Sequence, residues 1–426
     1  MASTRISNVT QHLAPSSTPA SAGSKSNIVY AGYPYAQPAK NLKSPDDVVI
    51  IAAVRSPMCK GGKGAFKETH PEYIMGETFK ALIAKTGIDP SIVQDIQVGN
   101  VLMPGAGVTT ARMAALYGGF PNSVPACAVN RQCSSGLATV ASIAALIKSG
   151  FIDIGIGAGV ESMSMYYGPT AMPTDLSPEV MNYGPAADVM TPMGTTSENV
   201  AEQFGITRAE QDAFALRSHT LAATAAKEGL FNEEIVPIKL ADGKVVSADD
   251  GIRVPTAELL AKLRPAFKEN GTSTAGNSSQ VTDGAAAVLL CRRSYAEKKG
   301  LKPLARFLGY TAVGCPPTIM GVGPALAIPD VLAQTGLSIK DIGVWEINEA
   351  FASQAVYCVK KLGIPVEKVN PKGGAIAFGH PMGATGARQV ATLLPELRRK
   401  KEKYGVISMC VGIGMGVAAV IENEVL

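Results

Sequence analysis

Two cysteines and one histidine stand in settings where a side chain could do covalent chemistry: Cys133 in NRQCSSGL, His380 in GHPMGATGAR and Cys410 in SMCVGIGMG. Cys133 follows VPACAVN (124–130), a short apolar run that reads as a buried strand. It precedes Leu137, Val140, Ala144 and Ile147, which repeat at the spacing of a helix face. A cysteine at such a junction meets unpaired backbone N–H groups and the positive end of a helix dipole. Both favour thiolate, so the Cys133 thiol is expected below its free value of about 8.5. A buried structural cysteine is the competing reading for any single thiol. Glycines around His380 and Cys410 permit close backbone approach and leave N–H groups free to face an oxyanion. Asn348, in WEINEAFA, stands at a third strand-to-loop junction.

The elements that would carry these residues alternate. VVIIAAV (48–54), a helix near 73–86, IQVGNVL (96–102) and IDIGIGAG (152–159) imply a mostly parallel sheet covered by helices. The glycine run at 155–159 lacks the third glycine and the later acidic residue of a dinucleotide site. The pattern then recurs. TG…DIQV (86–98) matches TG…DIGV (335–344), SSG…V (134–140) matches ATG…V (384–390), and 154–159 falls over 404–409. Two copies of one α/β unit are the simplest account, with an insertion at about 165–275. That insertion contains helical runs, the second opened by a Thr207–Glu210 capping box, and is expected to form a loop domain over the substrate.

Composition narrows the class. At 426 residues and 46% hydrophobic content, two or three cored domains are expected. Seven scattered cysteines with no CxxC pair, and four histidines, argue against a disulfide scaffold or a zinc site and suit a reducing compartment. No apolar run reaches the ~18 residues of a membrane span. Residues 1–45 hold Arg5, Lys25, Lys40 and Lys43 and no acid. Without those four, the 39 basic residues balance the 35 acidic ones. The body is neutral and offers no nucleic-acid surface.

NRQCSSGL, NEAFA, GHPxGxTGAR and CxGxGMG, in that order, resemble the thiolases from about residue 46 to the end. GVESMS, MGTTSENVAEQFGI and TAGNSSQVTDGAA resemble the degradative 3-ketoacyl-CoA thiolases of peroxisomes in particular. The resemblance implies two similar βαβαβαββ core halves in a five-layer αβαβα sandwich. The divisions expected are a 1–45 leader, a first half at 46–165 plus 275–302, a loop domain at 166–274 and a second half at 303–426. It implies thiolytic cleavage of 3-ketoacyl-CoA by CoA, the last step of fatty-acid β-oxidation. Cys133 would be acylated and His380 would take its proton. Cys410 would protonate the acetyl-CoA enolate and then deprotonate CoA. His380 and a water on Asn348 would meet the enolate oxygen, and the N–H groups of Cys133 and Gly412 the tetrahedral oxyanion.

By the same resemblance Ser279 and Phe351 would touch the pantetheine arm and Arg253 the adenine. CoA enters as substrate, with no metal or redox cofactor, and a homodimer is expected. Met382, Ala384 and Ile413 depart from residues common in the degradative enzymes and bear on chain length. Arg5, Ile6, His12 and Leu13 resemble an N-terminal peroxisomal targeting signal read by an import receptor, with a mitochondrial leader as runner-up. The remaining cysteines, Cys59, Cys127, Cys291, Cys315 and Cys358, have no motif and read as structural. A biosynthetic acetoacetyl-CoA thiolase and a non-catalytic acyl-CoA or lipid carrier of the same fold are the competing readings. A β-ketoacyl synthase would pair its cysteine with two histidines or with His and Asn, where this chain offers Cys410.

Overall fold

Val48–Arg55 (β1) is buried along all eight residues, the run expected of a strand covered on both faces. The computed structural model describes residues 43–168, 171 and 173–425. Arg5, Ile6, His12 and Leu13 therefore lie outside the described residues. After β1 come Pro71–Thr86 (α1), Ile96–Gly99 (β2), Val108–Tyr117 (α2), Ala126–Val129 (β3), Ser135–Lys148 (α3) and Ile154–Ser162 (β4). The insertion supplies Met193–Phe204 (α4) and Arg208–Lys227 (α5), and both bonds of the Thr207–Glu210 capping box form. Thr282–Arg292 (β5) and Ala305–Gly314 (β6) lead into Gly323–Thr335 (α6), Ile342–Ile347 (β7) and Ala352–Leu362 (α7). Met382–Lys400 (α8), Tyr404–Val411 (β8) and Met415–Asn423 (β9) complete the chain.

The strands run β7-β8-β9-β6-β1-β5-β4-β2-β3. At the middle, β1 and β6 meet only at Val49–Arg306 and Ile50–Ala305. On one side of that junction β3, β2 and β4 are parallel, and β5 and β1 follow antiparallel. On the other side β7 and β8 are parallel, and β9 and β6 follow antiparallel. Val369 bridges Trp345 in parallel where β3 stands in the first half. The duplication seen as matching residues is thus a duplication of topology. The expectation of a mostly parallel sheet needs correction, because five of the eight strand pairings in this path are antiparallel. Apolar runs report burial; they carry no information on strand direction.

Helices form the layers. α1 and α2 cover the outer face of the first half, and α6 packs on β9 and β6 of the second. Between the halves lie α3 and α8. Leu137, Val140, Ile143 and Ile147 of α3 and Val390, Leu393 and Leu397 of α8 are wholly buried against strands of both halves. Each such side chain contributes about 1.5–3 kcal/mol when fully removed from water. The two helices touch at their N-terminal ends through glycine. A Cβ placed on Gly136 would lie 2.7 Å from Gly383 O and 2.9 Å from Ala387 N, so no larger residue fits unless a backbone moves. Among the described residues no group of three or more His, Cys, Asp or Glu could hold a metal ion, and no helix is long and apolar enough to cross a membrane.

VPACAVN also differs from expectation. Its strand, β3, is half-buried and lies at the edge of the sheet, since among the described residues no strand pairs with it beyond β2.

Candidate active site

The Gly136–Gly383 contact places Cys133 and His380 each three residues from the crossing of α3 and α8. Cys133 follows a turn whose Gln132 has φ +46°, a left-handed conformation that costs a residue with a side chain about 1–2 kcal/mol. Opposite it, Ile413 at φ +65° follows Gly412 in the turn between β8 and β9. The two turns face each other, since a Cβ on Gly412 would lie 3.6 Å from Gln132 Oε1. The backbone N–H groups of Gly412 and of Cys133 itself both point to the Cys133 sulfur. Cys410, two residues before Gly412 on β8, is fully buried and close enough to Cys133 for the charge of one to disfavour the charge of the other.

Burial pushes the Cys133 thiol up, against the two N–H groups that favour its thiolate, and a negative charge on Glu161 adds to the rise. The expected lowering is therefore corrected. A sequence shows the helix end but not the desolvation, and desolvation is the larger effect here. Cys410 is held well above the ordinary thiol range, by burial first and then by Cys133, Cys358 and Cys315. Cys315, read as structural, packs beside Cys410 with Met320, Met193 and Phe351.

His380 is bonded on both ring nitrogens. Nδ1 lies 2.7 Å from Thr385 Oγ1, and that hydroxyl donates to Pro381 O at 3.0 Å. With its proton committed there, Thr385 accepts from Nδ1–H, which leaves the lone pair on Nε2. Asn348 Nδ2 stands 3.4 Å from that Nε2. Burial, with repulsion from Arg388, pushes His380 down to about 3, so the ring is neutral and able to accept a proton. Asn348 follows β7, its own N–H bonded to Ser408 O at 2.9 Å, and its Oδ1 has no partner among the described residues.

Glu349, beside Asn348, accepts from Ser218 Oγ on α5 (2.6 Å), Asn370 Nδ2 (2.7 Å) and the Ile376 N–H (3.2 Å). It ties the insertion to the segment leading into His380. No sequence signal marked Thr385 or Glu349 as a positioning group, although Thr385 lies within GHPMGATGAR and Glu349 within WEINEAFA.

The CoA-contact expectations divide. Ser279 N–H donates to Ala350 O (3.0 Å) and Ser278 bridges Phe351, so Ser279 and Phe351 share one wall. Phe351 meets Phe267 edge-on with centroids 5.9 Å apart. Arg253 is exposed and lies apart from the thiols, on a cleft of about 320 Å³ that it shares with His219, Leu260 and Gly276. No sequence signal marked His219, which burial pushes down and Arg253 pushes further.

Two adjoining domain families account for nearly all of this chain: thiolase, N-terminal domain, over residues 48–294, and thiolase, C-terminal domain, over 301–423. The chain belongs to the thiolase family. It is 53% identical over 402 residues to peroxisomal 3-ketoacyl-CoA thiolase B of Rattus norvegicus, covering 92% of this chain and 93% of the relative. The dimeric peroxisomal thiolase of Saccharomyces cerevisiae superposes with a TM-score of 0.86 at 51% identity, covering 90% of this chain and 99% of that one. A second structure of the yeast thiolase, described as five-layered A-B-A-B-A with two core domains of identical topology, gives a TM-score of 0.76 at 46% identity. It covers 90% of this chain and 99% of that one. The layers and the repeated sheet described above are those of the thiolase fold.

Proposed function

We propose that this chain cleaves 3-ketoacyl-CoA with CoA, giving acetyl-CoA and an acyl-CoA two carbons shorter. One observation carries this reading: a buried thiol with two backbone N–H groups at its sulfur and a second thiol beside it, next to a helix end whose neutral histidine keeps its lone pair on Nε2, where Asn348 Nδ2 meets it at 3.4 Å. Cys133 sulfur attacks the 3-keto carbon as its proton passes to His380 Nε2. The tetrahedral oxyanion is held by the N–H groups of Cys133 and Gly412. The C2–C3 bond breaks, the acyl group stays on Cys133, and the electron pair becomes an acetyl-CoA enolate held by His380 and a water on Asn348. Cys410 protonates the enolate carbon. Its thiolate then takes the proton of incoming CoA, whose sulfur attacks the acyl group, and Cys133 regains its proton from His380. A thiol suits the place of Cys410, because a group that gives its proton to the enolate and takes one from a CoA thiol works best when its pKa is matched to the groups it serves.

Ser279 and Phe351 contact the pantetheine arm and Arg253 the adenine end, along the wall from Phe351 through Gly276 to the Arg253 cleft. CoA is a substrate, and the chemistry calls for no resident cofactor. The yeast relative is dimeric, and β3, an edge strand among the described residues, offers a place for a second copy to pair. The relatives' location and the Arg5-Ile6…His12-Leu13 pattern support the peroxisomal matrix. Fused to a fluorescent protein, residues 1–14 should carry it to peroxisomes, and His12→Asp should abolish that. Mixing the enzyme with a 3-ketoacyl-CoA and no CoA should add one acyl mass to Cys133 and release acetyl-CoA. An unmodified protein, or the same adduct in Cys133→Ala, overturns the reading. A thiolysis series of increasing chain length then fixes the preferred substrate.

A further inference from the structure

At the end of β4, Glu161 is wholly buried, and among the described residues it takes part in no ion pair. Its carboxylate accepts three backbone N–H groups: Gly383 at 2.9 Å, Val101 at 3.1 Å and Leu102 at 3.2 Å. Gly383 belongs to the first turn of α8, three residues after His380. Val101 and Leu102 form the loop after β2, and that loop also holds the nucleophile's turn. Asn130 Nδ2 donates to Val101 O at 3.3 Å, while Asn130 Oδ1 accepts from Gln132 N–H at 2.9 Å, one residue before Cys133. Glu161, relayed through Asn130, thus ties the base's helix to the nucleophile's turn. All three partners are donors, so the position demands a group made only of acceptors. A carboxylate is one; a glutamine would put an NH2 in place of one oxygen and set its donors against at least one of these N–H groups.

We propose that Glu161 is a positioning residue for acyl transfer, clamping α8 to the 101–102 loop so that His380 and Cys133 keep their spacing. This rests on the thiolase reading of the site. The clamp is also electrostatic, since its charge disfavours a thiolate on Cys133. Asp283 on β5 lies beside Glu161, and Ser164 N–H and Oγ bond that second carboxylate. Cys410 faces Cys133 from β8. Burial with Asp283 nearby pushes Glu161 up to about 7, so it is ionised over the range where a thiol titrates. With the carboxylate in place, Cys133 waits as a neutral thiol and gives up its proton only to His380 during attack.

The test compares full-length Glu161→Gln and Glu161→Asp with the wild type. Three readouts are taken: kcat and KM for CoA, the folded fraction, and the pH profile of Cys133 alkylation by iodoacetamide followed by mass. A misplacement of about 1 Å costs on the order of 10²-fold in rate, so Glu161→Gln should lose kcat on that scale with KM for CoA little changed. Its alkylation midpoint should move to lower pH, because the opposing charge is gone. Glu161→Asp keeps the charge but reaches less far. It should keep the wild-type midpoint and show a smaller kcat loss.

A Glu161→Gln enzyme with wild-type kcat overturns the proposal, as does one whose loss only tracks unfolding with an unchanged midpoint. Should Glu161→Gln not fold, Glu161→Asp decides alone, and wild-type kcat in that variant overturns the clamp. Alkylation needs no substrate, so it reads the clamp even if Cys133 proves never to be acylated, which would sink only the thiolase reading.

Discussion

The two halves of this molecule share a strand order and differ in what they put at its ends. Each half runs a strand out to an asparagine, Asn100 after β2 and Asn348 after β7, and each opens its central helix beside the site. Ahead of α3 stands Cys133, the proposed nucleophile; ahead of α8 stands His380, the proposed base. Asn348 reaches the imidazole, whereas Asn100 packs beside Gly107 with its Nδ2 unpartnered among the described residues. The largest difference is the link from the third parallel-run strand to its antiparallel neighbour. In the second half it is the Gly412–Gly414 turn that aims an N–H at Cys133; in the first it is the insertion that carries α4, α5 and the Ser279 wall. Duplication gave two helix ends at one place, and divergence gave them complementary chemistry.

The sharpest way to break this comparison is to remove one thiol from each half. Cys133→Ala should abolish both the acyl adduct and turnover, by about 10⁵-fold or more for loss of a nucleophile. Cys410→Ala should still take one acyl group while turnover falls by about 10²–10⁴-fold, the range of a lost general acid–base. An acyl adduct that forms on Cys133 of Cys410→Ala and is not cleared by added CoA, read by intact mass, separates the two. Full turnover in Cys410→Ala removes the division of labour.

The contact between the halves comes next. Gly136→Ala sets a methyl against Gly383 O and Ala387 N. Overpacking of this kind costs about 1–3 kcal/mol, and α3 must move away from α8. Urea unfolding should show the loss, and kcat should fall with Cys133 still modifiable by iodoacetamide. Smaller again is Thr385→Val, which leaves His380 Nδ1–H buried without an acceptor. A penalty of about 1–3 kcal/mol predicts a fall in kcat of roughly 10- to 100-fold, with Thr385→Ser restoring most of it.

Much of this was legible. The residues flanking Cys133, His380, Cys410 and Asn348 marked strand-to-loop or strand-to-helix junctions, and the near-constant offsets between copies marked the repeat. What the sequence could not carry was relation through space. Strand direction, the edge position of β3 and the burial that reverses the expected Cys133 shift all depend on what packs from elsewhere in the chain. Glu161 and Thr385 went unread for the same reason: their roles lie in partners 222 and 5 residues away, and only the second is within a local pattern.

The last comparison sets His380 against Cys133, the proposed base against the proposed nucleophile, by pH. Folded His380 stays neutral until about pH 3, whereas in the unfolded chain a histidine protonates below about 6.5. Between those values the unfolded state binds the extra proton, so stability falls as pH drops through this window. At pH 5.5, one unit below the free value, the loss is about 1.4 kcal/mol relative to neutral pH. His380→Asn has no such proton to bind. Its urea midpoint should therefore fall less between pH 7.5 and 5.5 than the wild-type midpoint does. Glu161 and Glu346, with carboxyls raised to about 7 and about 8, act in the opposite sense and lose stability as pH rises. They are present in both proteins, so they cancel in the difference. Cys133→Ala, whose thiol titrates above this range, should keep the wild-type slope. Equal slopes in His380→Asn and the wild type would mean that the imidazole is not held neutral by burial, and its place as the waiting base would go with it.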